Sequence, residues 1–369
     1  MSKLDKINIL IIVCVSLLSF IGLMMVYSAS SIWANFLYSD SFYYFKRQLI
    51  FIIIGFILML IAFKINLVKI RKIANILLIL GFLMLILVLI PGIGAQVNGS
   101  RSWFKIGNFM IQPAEFFKIL IVIYMADRLD KYYQFSNSFI NTVTILLIPS
   151  LIGFALIMLQ PDFGTGIVML SSIFMMAILS KNKFKNYLLI GSVGIIGVAI
   201  IISTSAYRSE RILAYIDPYS DPLGSGFQAI QSLYAIGPGG LLGKGFDSSY
   251  QKYFYLPEPQ TDFIFSIFAE DYGLIGCITL IFLYCLLIYG LLYKATNENS
   301  VFKCYIDVGI ASLIAIQVCI NLCVVVGLIP VTGITLPFMS YGGSSITMLL
   351  ASIGFILNKG EINENINVR

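Results

Sequence analysis

The chain has 369 residues, of which 59% are hydrophobic and only 11% are charged. Soluble domains are about half apolar and about a quarter charged, so this composition excludes an ordinary soluble protein and indicates a polytopic membrane protein. The formal net charge is +6 and histidine is absent, which removes the usual neutral-pH general base and the commonest metal ligand.

Apolar runs long enough to cross a bilayer recur along the chain. Because a membrane-spanning helix needs about 20 apolar residues, these runs predict an all-α, single-domain membrane protein over residues 1–369. Ten spans are predicted, near 7–27, 43–63, 73–91, 111–127, 139–159, 164–180, 187–204, 263–293, 304–329 and 336–357. The first run is too long for the apolar core of a signal peptide, and no small-residue cleavage site follows it, so we interpret it as an uncleaved span.

The distribution of Lys and Arg predicts how the spans are oriented. With ten spans both termini share one side, and the segments on that side hold 15 of the 24 Lys and Arg residues. The short loops opposite hold only Lys46, Arg47, Arg101 and Lys105. Since basic residues accumulate on the cytoplasmic side, both termini are predicted to be cytoplasmic. This bias and anionic lipid headgroups explain the net charge, so no nucleic-acid partner is expected.

Two arginines lie at the predicted outer ends of early spans. Arg47 begins the second span, and Arg101 lies in the turn "NGSRSWF" (98–104), which ends in an interfacial Trp. Each arginine can hold a phosphate or simply anchor the chain among the headgroups.

The fourth span opens with "IQPAEFFKI" (111–119). Pro113 suits the first helical turn, and Glu115 and Lys118 are three residues apart and can pair. The pair is either structural or part of a cavity wall that contacts an anionic substrate, and we favour the second because ionisable residues inside membranes usually mark function. In "QPDFGTG" (160–166), Asp162 is most simply a turn or cap residue.

The segment from about 205 to 262, between predicted spans seven and eight, is the one long outer loop. A connection of this length is usually functional or disordered, and its many Tyr and Phe residues argue against disorder. The stretch "GFQAIQSLYAIG" (226–237) predicts a short amphipathic helix with Phe227, Ile230 and Tyr234 on one face, suited to the membrane surface.

The following stretch "GPGGLLGKGF" (237–246) resembles a nucleotide-binding P-loop only superficially. Pro238 replaces the first motif glycine, and Gly245 stands where Ser or Thr is required, so no nucleotide is expected. We expect the glycines to allow tight turns and close backbone approach. Lys244 can meet either a phosphate or the headgroup region.

The stretch "LPEPQTDFIF" (256–265) places Glu258 and Asp262 just before the eighth span. Taken alone, Asp262 is interpreted as a helix cap, which is worth about 1 kcal/mol. The helix dipole would lower its pKa, whereas partial desolvation and Glu258 would raise it, and the sequence leaves open which effect dominates.

Cysteine offers no metal site. The six cysteines contain no CxxC pair, and Cys319 and Cys323 without other ligands make a poor zinc site. Neither zinc nor haem is expected.

Together these motifs resemble the SEDS family (shape, elongation, division and sporulation), which comprises FtsW, RodA and SpoVE. The similarity runs nearly the whole length, and "MVYSAS" and "YLPEPQTDFIF" are more similar to the FtsW/SpoVE branch than to RodA. The motifs that carry it are "GLMMVYSAS" (22–30), "FKRQ" (45–48), "NGSRSW" (98–103), "QPAEFFK" (112–118), "QPDFGTG" (160–166), the block 211–276 and "GLIPVTGITLPFMSYGGSS" (327–345).

The resemblance implies a peptidoglycan glycosyltransferase that polymerises lipid II on the outer face of the bacterial cytoplasmic membrane, in division or sporulation. Its implied partners are a class B penicillin-binding protein and other membrane proteins of that machinery. The essential aspartate of the family's Pro-Glu-x-x-Thr-Asp motif corresponds to Asp262, and the fourth-span Glu and Lys correspond to Glu115 and Lys118. The family often has His where this chain has Gln260, so His cannot be a required proton carrier at that point.

In such a reaction the acceptor sugar's 4-hydroxyl attacks C1 of the donor and expels undecaprenyl pyrophosphate with inversion. We expect Asp262 to be the base, supported by Glu115, Lys118 and Glu258; alternatively Asp262 holds Mg²⁺ or Mn²⁺ against the pyrophosphate, so the metal question stays open. Substrate contacts are expected from positive side chains and from the turn before the last span: Arg47, Arg101, Lys118, Arg208, Arg211, Lys244, Ser340, Gly342, Gly343 and Ser344.

Two other functions compete. A lipid II flippase needs polar residues through the full membrane depth. Here the charged residues of interest are predicted to lie toward the outer face: Glu115, Lys118, Asp162 and Asp262. A non-enzymatic scaffold of the division or sporulation machinery predicts that Asp262 can be replaced without loss of synthesis. A polymerisation assay separates these functions.

Overall fold

The computed structural model describes residues 2–97, 99–107, 109–132, 148–179 and 206–358, together with 192, 194 and 197. The chain is mainly helical, as predicted. The helices are α1 Lys3–Tyr38, α2 Tyr43–Lys64, α3 Leu67–Lys72, α4 Ala74–Leu87, α5 Pro113–Tyr132, α6 Ile148–Met158, α7 Phe163–Ile178, α8 Ala206–Ile216, α9 Phe227–Ile236, α10 Ile264–Thr296, α11 Val301–Val325 and α12 Gly343–Leu357.

Among the described residues, α1, α2, α10 and α11 are long and apolar enough to cross a membrane, and α4, α6, α7 and α12 are apolar but shorter. The predicted span at 187–204 lies almost entirely outside the described residues, as does the first part of the one at 139–159. The other predicted spans each coincide with a helix. α5 begins at Pro113, as its sequence predicts.

The helices pack around α11, which contacts α5, α7 and α10 and is buried along most of its length. α1 packs against α10, and α2 packs against α12. Large apolar side chains of α2, such as Ile53, Ile57 and Leu60, remain exposed on its outer side. An apolar face without protein contacts suits lipid, which confirms a membrane protein.

A small antiparallel sheet precedes α5 and was not predicted. Its strands β1 Gly94–Val97, β2 Ser100–Ile106 and β3 Phe109–Ile111 lie in chain order. Of the stretch 98–104, which was interpreted as a turn, Gly99 does lie in a turn, but residues 100–104 belong to β2. Its buried Ser102 donates a hydrogen bond to the carbonyl of Gln160 at 2.8 Å, which fastens the sheet beside the turn before α7.

The long loop is largely ordered where it is described. Helix α9 confirms the predicted helix, but its buried face is centred on Ile230, Ser232 and Ala235, whereas Tyr234 is exposed. The exposed Tyr234 leaves the predicted membrane-surface face untested, whereas Ser232 turns inward, where its hydroxyl donates to the Val325 carbonyl at 2.8 Å.

Helix α10 is broken at Gly273, where φ is 64° and ψ is −164°. Residues 239–245 of the loop insert at this break, and we call this segment the splice loop. The N–H of Lys244 donates to the Glu270 carbonyl at 3.0 Å, and the N–H of Gly245 donates to the Asp271 carbonyl at 2.9 Å. In an unbroken helix those carbonyls would accept from residues 274 and 275.

Those two helical N–H groups find partners on the splice loop in turn. Leu274 donates to the Gly240 carbonyl at 2.9 Å, and Ile275 donates to the Leu241 carbonyl at 3.1 Å. The loop thus satisfies the main chain on both sides of the break, as buried backbone groups require. A Cβ on Gly273 would lie 2.4 Å from the Gly243 nitrogen, which confirms that these glycines permit close backbone approach.

We therefore expect Gly273→Ala to lower the free energy of unfolding by at least about 2 kcal/mol, because its φ/ψ region is nearly restricted to glycine. Denaturant unfolding of the purified protein in detergent measures this change. Gly237→Ala is the matched control, since its φ is −54° and a Cβ there meets no atom within 4 Å. Equal stability of the two variants would contradict the prediction.

Candidate active site

Asp262 lies in the turn before α10 and does not cap that helix. The N-cap position is Phe263, and no side chain caps this end. The capping interpretation is therefore wrong. The preceding turn is instead closed by Thr261, whose N–H and hydroxyl both donate to the Glu258 carbonyl, at 3.1 and 2.8 Å. Glu258 holds a left-handed φ of 45°, a strained conformation that clusters at functional sites.

The Asp262 carboxyl group is partly accessible but closely surrounded by protein. Its pKa is raised from 3.8 to about 6, chiefly by burial and then by the Glu258 carboxylate, while Arg211 opposes the rise. Gly333 approaches this carboxylate so closely that a Cβ on it would lie 3.7 Å from Oδ2. Desolvation and the like charge of Glu258, which the sequence predicted would raise this pKa, both act in that direction.

Arg211 brings a positive charge to this carboxylate from helix α8. Its Nη1 donates to the Val331 carbonyl at 2.7 Å, which fixes the guanidinium beside the segment that carries Gly333. Arg208 belongs to the same helix, but its side chain lies outside the described residues.

Asp162 is a second acidic group near Asp262, after Glu258. It caps α7 as predicted, because its Oδ1 accepts the Thr165 N–H at 3.1 Å, while its Oδ2 accepts from Gln112 Nε2 at 2.7 Å. Burial raises its pKa, although the Thr165 hydrogen bonds oppose this. Sequence reasoning assigned only the cap, since nothing local shows that Asp162 lies within electrostatic reach of Asp262.

Glu115 and Lys118 form the predicted ion pair, with 2.9 Å between Lys118 Nζ and Glu115 Oε1. Both side chains are almost fully buried, so the pair is strongly shielded from water. They line a narrow crevice of about 10 Å³, room for about one water molecule, together with residues of α11 and α12 that include Leu313 and Ser352. A crevice of this size holds no sugar or pyrophosphate, so the substrate-contacting cavity wall stays a prediction. The tight pairing shows that the ammonium charge is already partly neutralised.

Two amides of α11, Gln317 and Asn321, complete the surroundings. Gln317 Oε1 lies 3.4 Å from Lys118 Nζ, and Asn321 Nδ2 donates to the main-chain carbonyl of Asp262 at 2.8 Å. Sequence reasoning missed both residues because it searched for ionisable groups. Buried uncharged amides inside an apolar span are the signal that identifies them.

The turn before α12 holds protein segments together. The hydroxyl of Ser340 accepts from the Leu336 N–H at 2.8 Å, and the Tyr341 N–H donates to the Gln260 carbonyl at 2.8 Å. The Gly342 N–H lies 3.4 Å from Gln48 Oε1. The expectation that this turn offers N–H groups to the substrate gains no support at residues 341 and 342.

Ser344 and Gly343 make internal contacts as well. Ser344 Oγ accepts from the Gln112 N–H at 3.0 Å and donates to the Met110 carbonyl at 3.2 Å. Gly343 packs against the Phe51 ring, which a Cβ would meet at 2.4 Å. Both residues therefore position the start of α12 against the sheet and α2.

The remaining predicted cations have different surroundings. Lys244 Nζ pairs with Glu270 at 2.6 Å and lies over the Tyr250 ring at 4.2 Å, which favours a structural role in the splice loop over contact with a leaving group. Arg47 lies over the Tyr43 ring at 4.4 Å. Arg101 Nη1 is 3.4 Å from the Leu89 carbonyl, and its buried Nε has no protein partner.

A metal ion would find few ligands. Within the described ranges, no group of three or more His, Cys, Asp or Glu side chains is placed to hold one. Mg²⁺ commonly takes one or two carboxylates together with phosphate oxygens. Asp262, with Asp162 nearby, therefore fits an ion that arrives with a pyrophosphate, and does not by itself form an enclosed metal site.

Comparisons with known proteins place these features in context. The family described as cell cycle protein, FTSW_RODA_SPOVE, matches residues 8–364. Stage V sporulation protein E of Bacillus subtilis is 45% identical over 351 residues, which cover 95% of this chain and 96% of that protein. A probable peptidoglycan glycosyltransferase FtsW of Trichlorobacter lovleyi is 39% identical over 354 residues, which cover 95% of this chain and 92% of that protein.

Solved structures show the same fold. One, described as structural coordination of polymerization and crosslinking by a peptidoglycan synthase complex, has a TM-score of 0.74 and 29% identity, and the match covers 94% of this chain and 95% of that chain. Thermus thermophilus rod shape determining protein RodA has a TM-score of 0.71 and 26% identity, and the match covers 94% of each chain.

Proposed function

The chain belongs to the FtsW/RodA/SpoVE family of cell cycle proteins, and we propose on this basis how it works. It is a membrane-embedded peptidoglycan glycosyltransferase, which joins lipid II units into β-1,4-linked glycan strands. Its similarity to a stage V sporulation protein supports a role in sporulation, beside the division role of the FtsW relatives.

The observation that carries the mechanism is the carboxyl group of Asp262, which has a pKa of about 6 and feels the charge of the Arg211 guanidinium. A carboxylate with this pKa is ionised at neutral pH and is a stronger base than an ordinary aspartate. We infer that it accepts the proton of the acceptor's 4-hydroxyl. Such a base typically contributes about 10²- to 10⁴-fold in rate.

The proposed glycosyl transfer is a single step in which one bond forms and one bond breaks. The acceptor oxygen bonds to C1 of the donor sugar while the bond from C1 to the pyrophosphate oxygen breaks. The electron pair leaves with undecaprenyl pyrophosphate, and the proton goes to Asp262. Since the donor bond is α and the product is β, the displacement inverts C1.

Arg211 is the best-placed cation to stabilise the departing diphosphate, because its charge acts on the Asp262 carboxylate and its guanidinium is held by the Val331 carbonyl. Lys118 shares its charge with Glu115, so it acts more through positioning than through direct contact. Arg47 and Arg101 are further candidates for the phosphates. A divalent cation bound with the substrate would supply additional positive charge to the leaving group.

The biological setting follows from the reaction. We place Asp262 on the extracytoplasmic side of the bacterial cytoplasmic membrane with both termini inside, in keeping with the distribution of Lys and Arg. A class B penicillin-binding protein would cross-link the strands. The structural likeness to a peptidoglycan synthase complex supports such a partner.

The rate should fall as the pH drops through about 6, because Asp262 is then protonated and no longer a base. Glu258→Gln removes a charge that raises this pKa, so the acidic limb of kcat/KM against pH should move to lower pH. The kcat/KM profile reports groups of the free enzyme. An acidic limb that Glu258→Gln leaves in place would contradict the assignment.

The decisive test of function uses the purified full-length chain with lipid II in detergent, alone and co-purified with its class B penicillin-binding protein. Growth of glycan chains supports the polymerase, because detergent leaves no second leaflet to which lipid could be moved. Scrambling of lipid II in liposomes without polymer would indicate a flippase. If neither polymerisation nor scrambling is observed, the result would support the scaffold function.

A further inference from the structure

Helix α11 presents two buried amides on one face, Gln317 and Asn321, which are four residues apart and so lie one above the other. Their exposed fractions are 2% and 1%. An uncharged amide in an apolar helix loses solvation, so each needs protein partners. Those partners are the main chain of the segment 331–336, here called the cover segment, and of Asp262.

Asn321 ties two separate stretches together with one amide group. Its Nδ2 donates to the main-chain carbonyl of Asp262 at 2.8 Å and to that of Ile334 at 2.7 Å. Both donors of this NH₂ group are therefore used. Asn321 sets the separation between the Asp262 turn and the cover segment, whose Gly333 approaches the Asp262 carboxylate.

Gln317 extends this arrangement by one helical turn. Its Nε2 donates to the Thr335 carbonyl at 3.0 Å, and its Oε1 lies 3.4 Å from Lys118 Nζ. The cover segment is thus linked to the Glu115–Lys118 ion pair as well as to Asp262. One helix face therefore holds three parts of the site that are far apart in sequence.

The cover segment has no regular helix or strand that would satisfy its own carbonyls. Buried main-chain carbonyls require donors, and α11 supplies them through side chains. The geometry points to Gln317 and Asn321 as positioning residues that fix the base relative to the ion pair. This inference rests on the proposed polymerase function.

Positioning of this kind acts mainly on the chemical step, because a displacement of about 1 Å at a reacting group can cost about 10²-fold in rate. Neither amide is required to touch the lipid carrier, so the affinity for substrate should change little. Loss of these hydrogen bonds should therefore lower kcat much more than it changes KM.

The test compares kcat and KM for lipid II in detergent, with the full-length chain alone and co-purified with its penicillin-binding protein. Asn321→Leu, which keeps the size but removes both donors, should lower kcat by about 10²-fold with KM changed less than about threefold. Asn321→Gln restores a donor and should recover part of the rate, which a residue acting only through its volume would not do. Gln317→Met should lose rate in the same direction.

Ser172→Ala is the matched control. Ser172 of α7 donates a buried hydrogen bond of 2.9 Å to the Gly309 carbonyl of α11, away from Asp262. Its loss should leave the wild-type kcat unchanged. A folded Asn321→Leu protein with near wild-type kcat would overturn the inference. If Asn321→Leu does not fold, Gln317→Met decides in the same way. A wild-type chain that makes no polymer would instead refute the proposed function.

Discussion

Asp262→Asn should slow glycan polymerisation severely while the protein still folds. Asparagine keeps the shape of the side chain but cannot accept the proton of the acceptor hydroxyl, so kcat should fall by about 10²-fold to 10⁴-fold. The measurement is glycan chain growth from lipid II in detergent. Glu210→Gln is the matched control: it removes an exposed acidic charge from α8 and should keep the wild-type rate.

The same substitution should not destabilise the protein at neutral pH. The pKa of Asp262 is raised on folding from 3.8 to about 6, so the folded state binds this proton more tightly than the unfolded state. Stability therefore decreases as the pH rises through this window, and the ionised carboxylate carries the full penalty above it. Thermal unfolding at pH above 6 should show Asp262→Asn at least as stable as wild type. Near-normal polymerisation by this variant would remove Asp262 from the mechanism.

Lys118→Met should give the largest loss of stability. It leaves the Glu115 carboxylate buried without the partner that lies 2.9 Å away. Removing one member of a buried ion pair typically costs about 3–5 kcal/mol. Denaturant unfolding measures this cost, and polymerisation should fall as well because the pair lines the crevice beside the site.

The double variant Glu115→Gln/Lys118→Met supplies the control for this prediction. It removes both charges, so it should recover much of the stability that Lys118→Met loses. A thermodynamic cycle over the two single variants and the double variant isolates the pair. Additive losses would show that the two side chains do not depend on each other.

Local spacing predicted those features that depend on neighbouring residues. Glu115 and Lys118 pair because they are three residues apart on one helix. Asp162 caps α7 because it is the residue directly before the first residue of that helix. The helix over residues 227–236 also follows from its own pattern. In each case the partner lies within a few residues, where the geometry of a helix fixes the distance.

Features formed by distant segments were missed. Asn321 reaches Asp262 across 59 residues of chain, and Lys118 meets Gln317 across 199. The cap interpretation of Asp262 failed because the helix begins beyond Phe263, a boundary that local propensity does not fix. The sheet at 94–111 was missed because its strands are short and lie between long apolar runs.

The splice loop constrains its own evolution in an unusual way. Apart from the Lys244–Glu270 ion pair, its bonds to α10 run between main-chain atoms. They are therefore indifferent to the side chains of Leu241 and Leu242, which are 67% and 77% exposed. Many residue types should therefore be tolerated at these two positions. Adding or deleting one residue between Gly239 and Gly245 would shift every donor past its acceptor, so the length of this stretch is expected to be fixed even where its composition drifts.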